Sequence, residues 1–189
     1  MPKSPPPARP PAALGPPAAP LTFSRLEAAD AAEASELILK CFWRFNAEQY
    51  GDNPERFTET VTPEKLAAFI RSDVVVGARN QCGELCGVIC IAGGSHLELL
   101  FVSEEHQRQG VATTLWKSAL ELAAPDPRAP VEITVNSSDH AIEFYEAMGF
   151  VRVPFERPIV KRLRYQRSVC WLSSAEHLRP PHLLCDLRG

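Results

Sequence analysis

Residues 96–113 read HLELLFVSEEHQRQGVAT, and this stretch decides which fold the sequence predicts. The apolar-rich run His96–Val102 is typical of a β-strand, whereas the residues from Val111 onward have the spacing of an amphipathic helix. Gly110 lies at the junction, where the absence of a Cβ lets backbone N–H groups of the loop and of the first helical turn face a ligand. Those N–H groups carry partial positive charge and suit a diphosphate. The side chains that can add donors are those of Gln107, Arg108 and Thr113.

Upstream of the loop, two more strands are predicted at Val74–Ala78 and Leu85–Ala92, each followed by a short turn. Two short connections in a row imply an antiparallel meander that ends in His96–Val102, because parallel strands need a long crossover. This meander and the single loop glycine exclude the P-loop and the Rossmann dinucleotide motif. The other upstream elements predicted are a strand at Leu21–Leu26, a helix from Asp30 through Asn46, and a helix from Thr62-Pro63 to about Arg71.

Downstream of the loop, the pattern predicts a helix from Val111 to Ala124 and then a strand at Val131–Val135. Because a helix connects it to His96–Val102, that strand is expected to run parallel to it. The predicted inner face of the helix consists of Leu115, Ala119, Leu122 and Ala123. The last elements predicted are a helix at Ser138–Met148, closed by Gly149, and a hairpin of Phe150–Val153 with Pro158–Arg164. The predicted fold class is α+β, a mixed sheet with helices on both faces.

Composition narrows the class of protein. The 189 residues carry a net charge of −3 with no basic cluster, which argues against a nucleic-acid partner. No apolar run reaches the ~18 residues that span a bilayer, so no membrane partner is expected. The six cysteines do not form the paired ligand sets of a zinc site, and we expect reduced thiols in a cytoplasmic protein without a metal. The expected organisation is a disordered Pro/Ala-rich arm at 1–20, one domain at 21–167 and a tail of unassigned role at 168–189.

Two motifs resemble those of one protein family. Val102-x₄-Gln107-x₂-Gly110-x-Ala112 resembles the V-x₄-[RQ]-x₂-G-x-[GA] signature of the GNAT superfamily of N-acetyltransferases. At the expected distance, Asn136 and the run AIEFYEAMGF at 141–150 are similar to the family's N…A…FYxxxGF element. The resemblance, to a small bacterial-type GNAT domain, covers about residues 21–165 in element order. It implies a twisted, mostly antiparallel mixed sheet of six to seven strands. It also implies acetyl-CoA as cosubstrate and direct transfer to a primary amine of a small molecule or peptide in a ternary complex.

The resemblance also implies where the coenzyme binds. The strand before the loop is expected to bulge and splay from its parallel neighbour, so that its backbone at Leu100, Phe101 and Val102 pairs with the pantetheine arm. Tyr145 occupies the position of the family's general acid, which protonates the departing thiolate; the alternative is a half-buried core tyrosine. Asn136 would hold a water or a pantetheine amide, or else cap the following helix. The full implied coenzyme site is Leu100, Phe101, Val102, Gln107, Arg108, Gln109, Gly110, Val111, Ala112, Thr113, Asn136 and Tyr145.

The general base and the acceptor are less determined. His96 and Glu98 share a strand face by period two, and they are the candidates for the general base, because some relatives place a catalytic Glu or a His pair at these positions. The alternatives are that the two residues lie on a solvated strand face, or that a water molecule acts as the base. The aromatic stretch 43–50 lies where relatives build the acceptor pocket, although such residues also form cores. A GNAT fold that senses acyl-CoA without turnover is the competing function, and a homodimer stays open.

Overall fold

The computed structural model describes residues 20–50, 54–126, 128–137, 141–153 and 161–167. The predicted N-terminal arm, apart from Pro20, and the tail at 168–189 lie outside the described residues. The strands are β1 (Thr22–Arg25), β2 (Val74–Arg79), β3 (Leu85–Ala92), β4 (His96–Val102), β5 (Val131–Ser137), β6 (Phe150–Arg152) and β7 (Lys161–Arg167). The helices are α1 (Ala31–Phe45), α2 (Glu55–Thr58), α3 (Pro63–Ser72), α4 (Val111–Ala123) and α5 (Ile142–Ala147).

The strands form one seven-stranded sheet in the order β1-β2-β3-β4-β5-β7-β6. All neighbouring pairs are antiparallel except β4 and β5, which are parallel and connected through α4. This topology confirms the predicted meander, the parallel pair and the mixed, mostly antiparallel sheet.

Helices cover both faces of the sheet, because its central strands alternate between two apolar cores. On one face, α4 packs Leu115 and Trp116 onto Ile89 and Ile133. On the other face, α1 and α3 pack Ile38, Leu66 and their neighbours onto Val75, Val88 and Leu99. Consecutive residues such as Val75 and Val76 belong to different cores, as the two-residue period of a strand requires.

The inner face of α4 differs from the prediction in its last turn. Leu115 and Ala119 are fully buried as expected, but Leu122 is 47% exposed. Ala123 packs against the core as predicted, and Leu120 takes the place expected of Leu122. The buried stripe therefore shifts around the helix toward its C-terminal end.

Local signals set several element ends as predicted. The Thr62 hydroxyl accepts a hydrogen bond from the Lys65 N–H at 3.4 Å, with Pro63 in the first helical position of α3. Gly149, with φ of 91°, ends the turn after α5 in the left-handed region. The predicted start of that helix at 138–140 lies outside the described residues. None of the described helices is both long and apolar enough to cross a membrane.

Candidate active site

The loop between β4 and α4 presents backbone donors to a cleft. Gly110 is the N-cap residue of α4 and has φ of 80° and ψ of 3°, the left-handed region that favours glycine. Arg108 also has positive φ, at 62°, so the chain turns sharply twice before the helix starts. No side chain caps the helix at Gly110, and the N–H groups of Val111, Ala112 and Thr113 precede the first possible intrahelical acceptor. These three donors and the positive end of the helix dipole face the same space.

Two glutamines hold this loop in place. The side-chain amide of Gln107 donates to the Val102 carbonyl at 3.0 Å and ties the loop to the end of β4. The amide of Gln109 donates to the Glu105 carbonyl at 2.7 Å. Gln107 lines the cleft, whereas Gln109 is exposed and does not. Both side chains thus brace the backbone, and direct contact of Gln109 with a coenzyme stays a prediction.

The cleft beside the loop has a volume of about 450 Å³. Its lining residues are Leu100, Val102, His106, Gln107, Arg108, Gly110, Val111, Ala112, Thr113, Ala141, Phe144 and Tyr145. Most of the predicted coenzyme site is therefore gathered around one space; Phe101, Gln109 and Asn136 are the predicted members that do not line it.

Three lining residues were not predicted: His106, Ala141 and Phe144. Ala141 precedes Tyr145 by one helical turn, which is a signal that could have identified it. The Nδ1 of His106 lies 2.8 Å from the hydroxyl of Ser103, a buried residue. That hydrogen bond holds the imidazole at the rim of the cleft.

Tyr145 combines burial with access to the cleft. Its side chain is 6% exposed, and its ring contacts Phe144 and Phe150 at centroid distances of 5.2 and 5.3 Å. Among the described residues, its hydroxyl has no hydrogen-bond partner. Burial raises the pKa of this phenol well above its ordinary value of 10.0. Tyr145 therefore keeps its proton at neutral pH and can donate it to a group in the cleft.

The strand β4 carries an irregularity at Glu98. Its register with β3 pairs Cys90 with Leu99 but Ile91 with Leu97, so Glu98 is an extra residue, a β-bulge. As a result Leu97 packs into the α4 core and Leu99 into the α1 core, although simple alternation would put them on one face.

The strands β4 and β5 separate soon after they meet. Their parallel pairing covers only His96 with Thr134 and Leu97 with Val135. Within the described part of the chain, no strand therefore pairs with the Leu100–Val102 backbone on that side. The bulge and the splay predicted from the resemblance are both present, which leaves a strand-like gap beside the cleft. The Phe101 side chain lies on the other face, where its ring centroid is 5.9 Å from that of Phe57.

His96 lies in a polar cluster at the point where β4 and β5 part. Its Nδ1 is 2.7 Å from the Thr134 hydroxyl, and its Nε2 is 3.7 Å from the Glu98 carboxylate. The Asn136 amide nitrogen is 3.4 Å from the same Nε2. His96 and Glu98 thus share a face, as predicted, and the structure adds Thr134, which the sequence did not single out. The alternative role of Asn136, capping the next helix, involves residues 138–140, outside the described part.

The aromatic stretch at the end of α1 divides between core and surface. Phe42 is 1% exposed and stacks on Phe57 at 4.3 Å, whereas Trp43 is 51% exposed and contacts Phe42 edge-on. The ring of Phe45 is also exposed. The acceptor pocket predicted around this stretch stays a prediction.

The described cysteines are unpaired, and most are shielded. Cys41, Cys86 and Cys90 are buried and Cys82 is exposed. Burial raises the pKa of Cys41 to about 11 and that of Cys90 to about 12. Within the described residues, no group of His, Cys, Asp and Glu side chains is arranged to hold a metal ion.

One family model matches most of the chain, and solved structures share its fold. Residues 36–165 match the sequence profile of the acetyltransferase (GNAT) domain. No curated protein matches the chain. Among solved structures, a GCN5-related N-acetyltransferase from Rhodopseudomonas palustris has a TM-score of 0.65 and 22% identity, covering 77% of this chain and 95% of its own. The PaiA N-acetyltransferase from Thermoplasma acidophilum, solved with coenzyme A, has a TM-score of 0.64 and 17% identity, covering 78% and 99%.

Proposed function

Because the chain belongs to the GNAT family of acetyltransferases, an acyltransferase family, we propose that it transfers the acetyl group of acetyl-CoA to a primary amine of a small molecule or peptide. A fold shared with a coenzyme A complex supports a coenzyme A thioester as cosubstrate. The observation that carries the proposal is the cleft itself, which runs from the donors around Gly110 to the protonated hydroxyl of Tyr145.

The loop supplies the binding energy for the charged end of the coenzyme. The N–H groups of Val111, Ala112 and Thr113 donate to the diphosphate, and the Arg108 guanidinium adds charge at the rim. The backbone of β4 beyond Leu97 donates to and accepts from the pantetheine arm in the place of a neighbouring strand. The thioester then lies between the splayed strands, next to Tyr145.

Transfer needs a base, a donor for the carbonyl oxygen and an acid. The amine attacks the thioester carbon, and a β4 backbone N–H stabilises the developing oxyanion. Tyr145 gives its proton to the sulfur as the carbon–sulfur bond breaks, which avoids release of a free thiolate. The proton lost by the amine passes to His96, directly or through water, with Glu98 stabilising the imidazolium.

A screen for amine-dependent release of free thiol from acetyl-CoA tests the proposal. The panel contains aromatic amines, polyamines, amino acids and short peptides, and longer acyl-CoA thioesters test the choice of acyl group. The exposed Cys82 gives a fixed background in a thiol assay, which protein without coenzyme measures. We expect turnover with at least one amine class, unaffected by a metal chelator. Calorimetric binding of acetyl-CoA without turnover of any amine would instead favour a sensing role, and no binding would refute both.

A further inference from the structure

We infer that Thr134 is a positioning residue that holds His96 in the tautomer protonated at Nδ1, so that Nε2, on the side of Glu98 and Asn136, is the atom that accepts a proton. The inference deepens the proposed function, since it assigns the orientation of the base on which that function draws. It rests on the hydrogen bonds where β4 and β5 separate.

The neighbours of the Thr134 hydroxyl set the direction of its hydrogen bond with His96. The Thr134 hydroxyl has one proton, and the Ser95 carbonyl, a pure acceptor, lies 3.4 Å from its oxygen. The same carbonyl accepts the Thr134 N–H at 2.9 Å, which fixes β5 against the start of β4. When the hydroxyl donates to Ser95, its oxygen is left as an acceptor 2.7 Å from the imidazole Nδ1. That nitrogen must then carry a proton.

The other ring nitrogen of His96, Nε2, lies near an amide and a carboxylate. With Nδ1 protonated, a neutral imidazole has its lone pair at Nε2. The amide nitrogen of Asn136, a donor, lies 3.4 Å from Nε2, and the Glu98 carboxylate lies 3.7 Å from it. In the neutral ring, the lone pair at Nε2 can accept from the Asn136 amide. In the protonated ring, the Nε2 proton can be donated to the Glu98 carboxylate. Among the described residues, Nε2 therefore faces one group that suits each of its protonation states.

The same contacts also accommodate the protonated form of His96. When an ammonium acceptor gives its proton to Nε2, the resulting imidazolium donates from Nδ1 to Thr134 and from Nε2 to Glu98. The Thr134 hydroxyl keeps its donation to Ser95 and does not have to rotate, and only the Asn136 amide, 3.4 Å from Nε2, gives up its donation. In the opposite orientation, with Thr134 donating to Nδ1, protonation would leave two donors facing each other at 2.7 Å. The hydrogen bonds around Nδ1 thus stay unchanged on protonation only in the inferred tautomer.

Other charges face the same region and bear on any pH profile. On the described elements around His96, they are Glu98 of β4, Glu132 of β5, Arg164 of β7 and Asp73 after α3. Glu132 and Arg164 lie 3.6 Å apart and largely offset each other. Because these groups are the same in a Thr134 variant and in the wild type, a difference between the two isolates the hydroxyl.

The test combines a tautomer measurement with kinetics. Nitrogen-15 NMR of histidine-labelled protein distinguishes a protonated ring nitrogen from a bare one, and His96→Gln assigns the His96 signals. For neutral His96 we expect a proton on Nδ1 in the wild type and in Thr134→Ser, and on Nε2 in Thr134→Val, since Nε2 is the intrinsically preferred site. A wild-type His96 protonated at Nε2 would overturn the inference whether or not any amine is turned over.

The kinetic arm uses the same variants with the amine found in the screen. In Thr134→Val we expect kcat/KM for the amine to fall roughly three- to tenfold, the value of one hydrogen bond, and its ascending limb to move to lower pH. Thr134→Ser should restore both, and the KM for acetyl-CoA should stay constant. A Thr134→Val profile that coincides with the wild type would also overturn the inference. Loss of turnover in every variant alongside the expected tautomers would instead count against the proposed function.

Discussion

At the residue scale, one oxygen atom of Tyr145 separates an acid catalyst from a core aromatic. Tyr145→Phe keeps the ring contacts with Phe144 and Phe150 and removes only the proton donor. We expect kcat to fall about 100-fold or more, within the range for general acid catalysis, with the acetyl-CoA dissociation constant unchanged. Thiol release and calorimetry on the same preparation measure the two quantities. Unchanged kcat would assign the hydroxyl no part in the reaction.

The same hydroxyl predicts a pH dependence. Burial raises the pKa of Tyr145 above its ordinary value of 10.0, so the acid form persists as the pH rises toward that value. We therefore expect that deprotonation of Tyr145 causes no fall in kcat between neutrality and pH 10.0. Any descending limb in that range should be present in Tyr145→Phe as well. A stopped thiol assay over that range, with stability checked at each pH, measures the profile. A limb near pH 8 that disappears in Tyr145→Phe would contradict the assigned burial.

At the scale of the elements, the loop before α4 depends on its two glutamine braces to different degrees. Gln107→Ala removes the bond to the Val102 carbonyl, which joins the loop to the end of β4. Gln109→Ala removes a bond of similar length within the loop and away from the cleft. We expect acetyl-CoA affinity to fall about fivefold in Gln107→Ala, as one hydrogen bond is worth ~1 kcal/mol, and less than about twofold in Gln109→Ala.

Calorimetry of the two glutamine variants decides between bracing and general loop stability. Equal losses of affinity would show that the link to β4 has no special role. A greater loss in the Gln109 variant would reverse the assignment of the two side chains.

Elements with a strong periodic pattern could be predicted from the sequence, and irregular ones could not. The strands Leu85–Ala92 and His96–Val102 have the predicted bounds, because apolar runs between turn residues mark both ends. A bulge in β4 was expected only from the family resemblance, because the period-two pattern of a strand does not indicate where an extra residue is inserted. The structure places it at Glu98. The short α2 was missed because four residues are too few to show a helical period.

The candidate site was predicted where its members are adjacent in sequence and missed where tertiary packing brings them together. The loop from Gln107 to Thr113 forms a single local unit, and all of it except Gln109 lines the cleft. Thr134 lies 38 residues from His96, and only the parallel register of β4 and β5 places the two side by side. No spacing rule along the chain connects such a pair.

At the scale of the whole molecule, two buried thiols make stability depend on pH. The folded protein holds the Cys41 and Cys90 protons to a pKa of about 11 and about 12, against an ordinary value of 9.0. The folded state therefore binds more protons than the unfolded state above pH 9.0, and stability is lost as the pH rises from there. We expect the urea midpoint to be level just below pH 9.0 and to fall steadily above it.

The double variant Cys41→Ala, Cys90→Ala is the control for that pH dependence. Its midpoint should be lower at every pH, because two buried side chains are truncated, but it should fall less steeply above pH 9.0. Parallel curves for the two proteins would show that other groups cause the alkaline loss.

The central claim is that N–H groups at the start of α4 bind the diphosphate of the coenzyme, and calorimetry with matched glycine variants tests it most directly. Gly110 and Gly83 both have φ near 80° and open space where a Cβ would stand, but only Gly110 lines the cleft. An aspartate at either position carries the same backbone strain and charge. We predict that Gly110→Asp weakens acetyl-CoA binding at least 100-fold, about 2.7 kcal/mol, by placing a carboxylate beside the diphosphate, while Gly83→Asp binds as the wild type does. Equal affinity of the two variants, or no heat of binding in the wild type, would contradict the account.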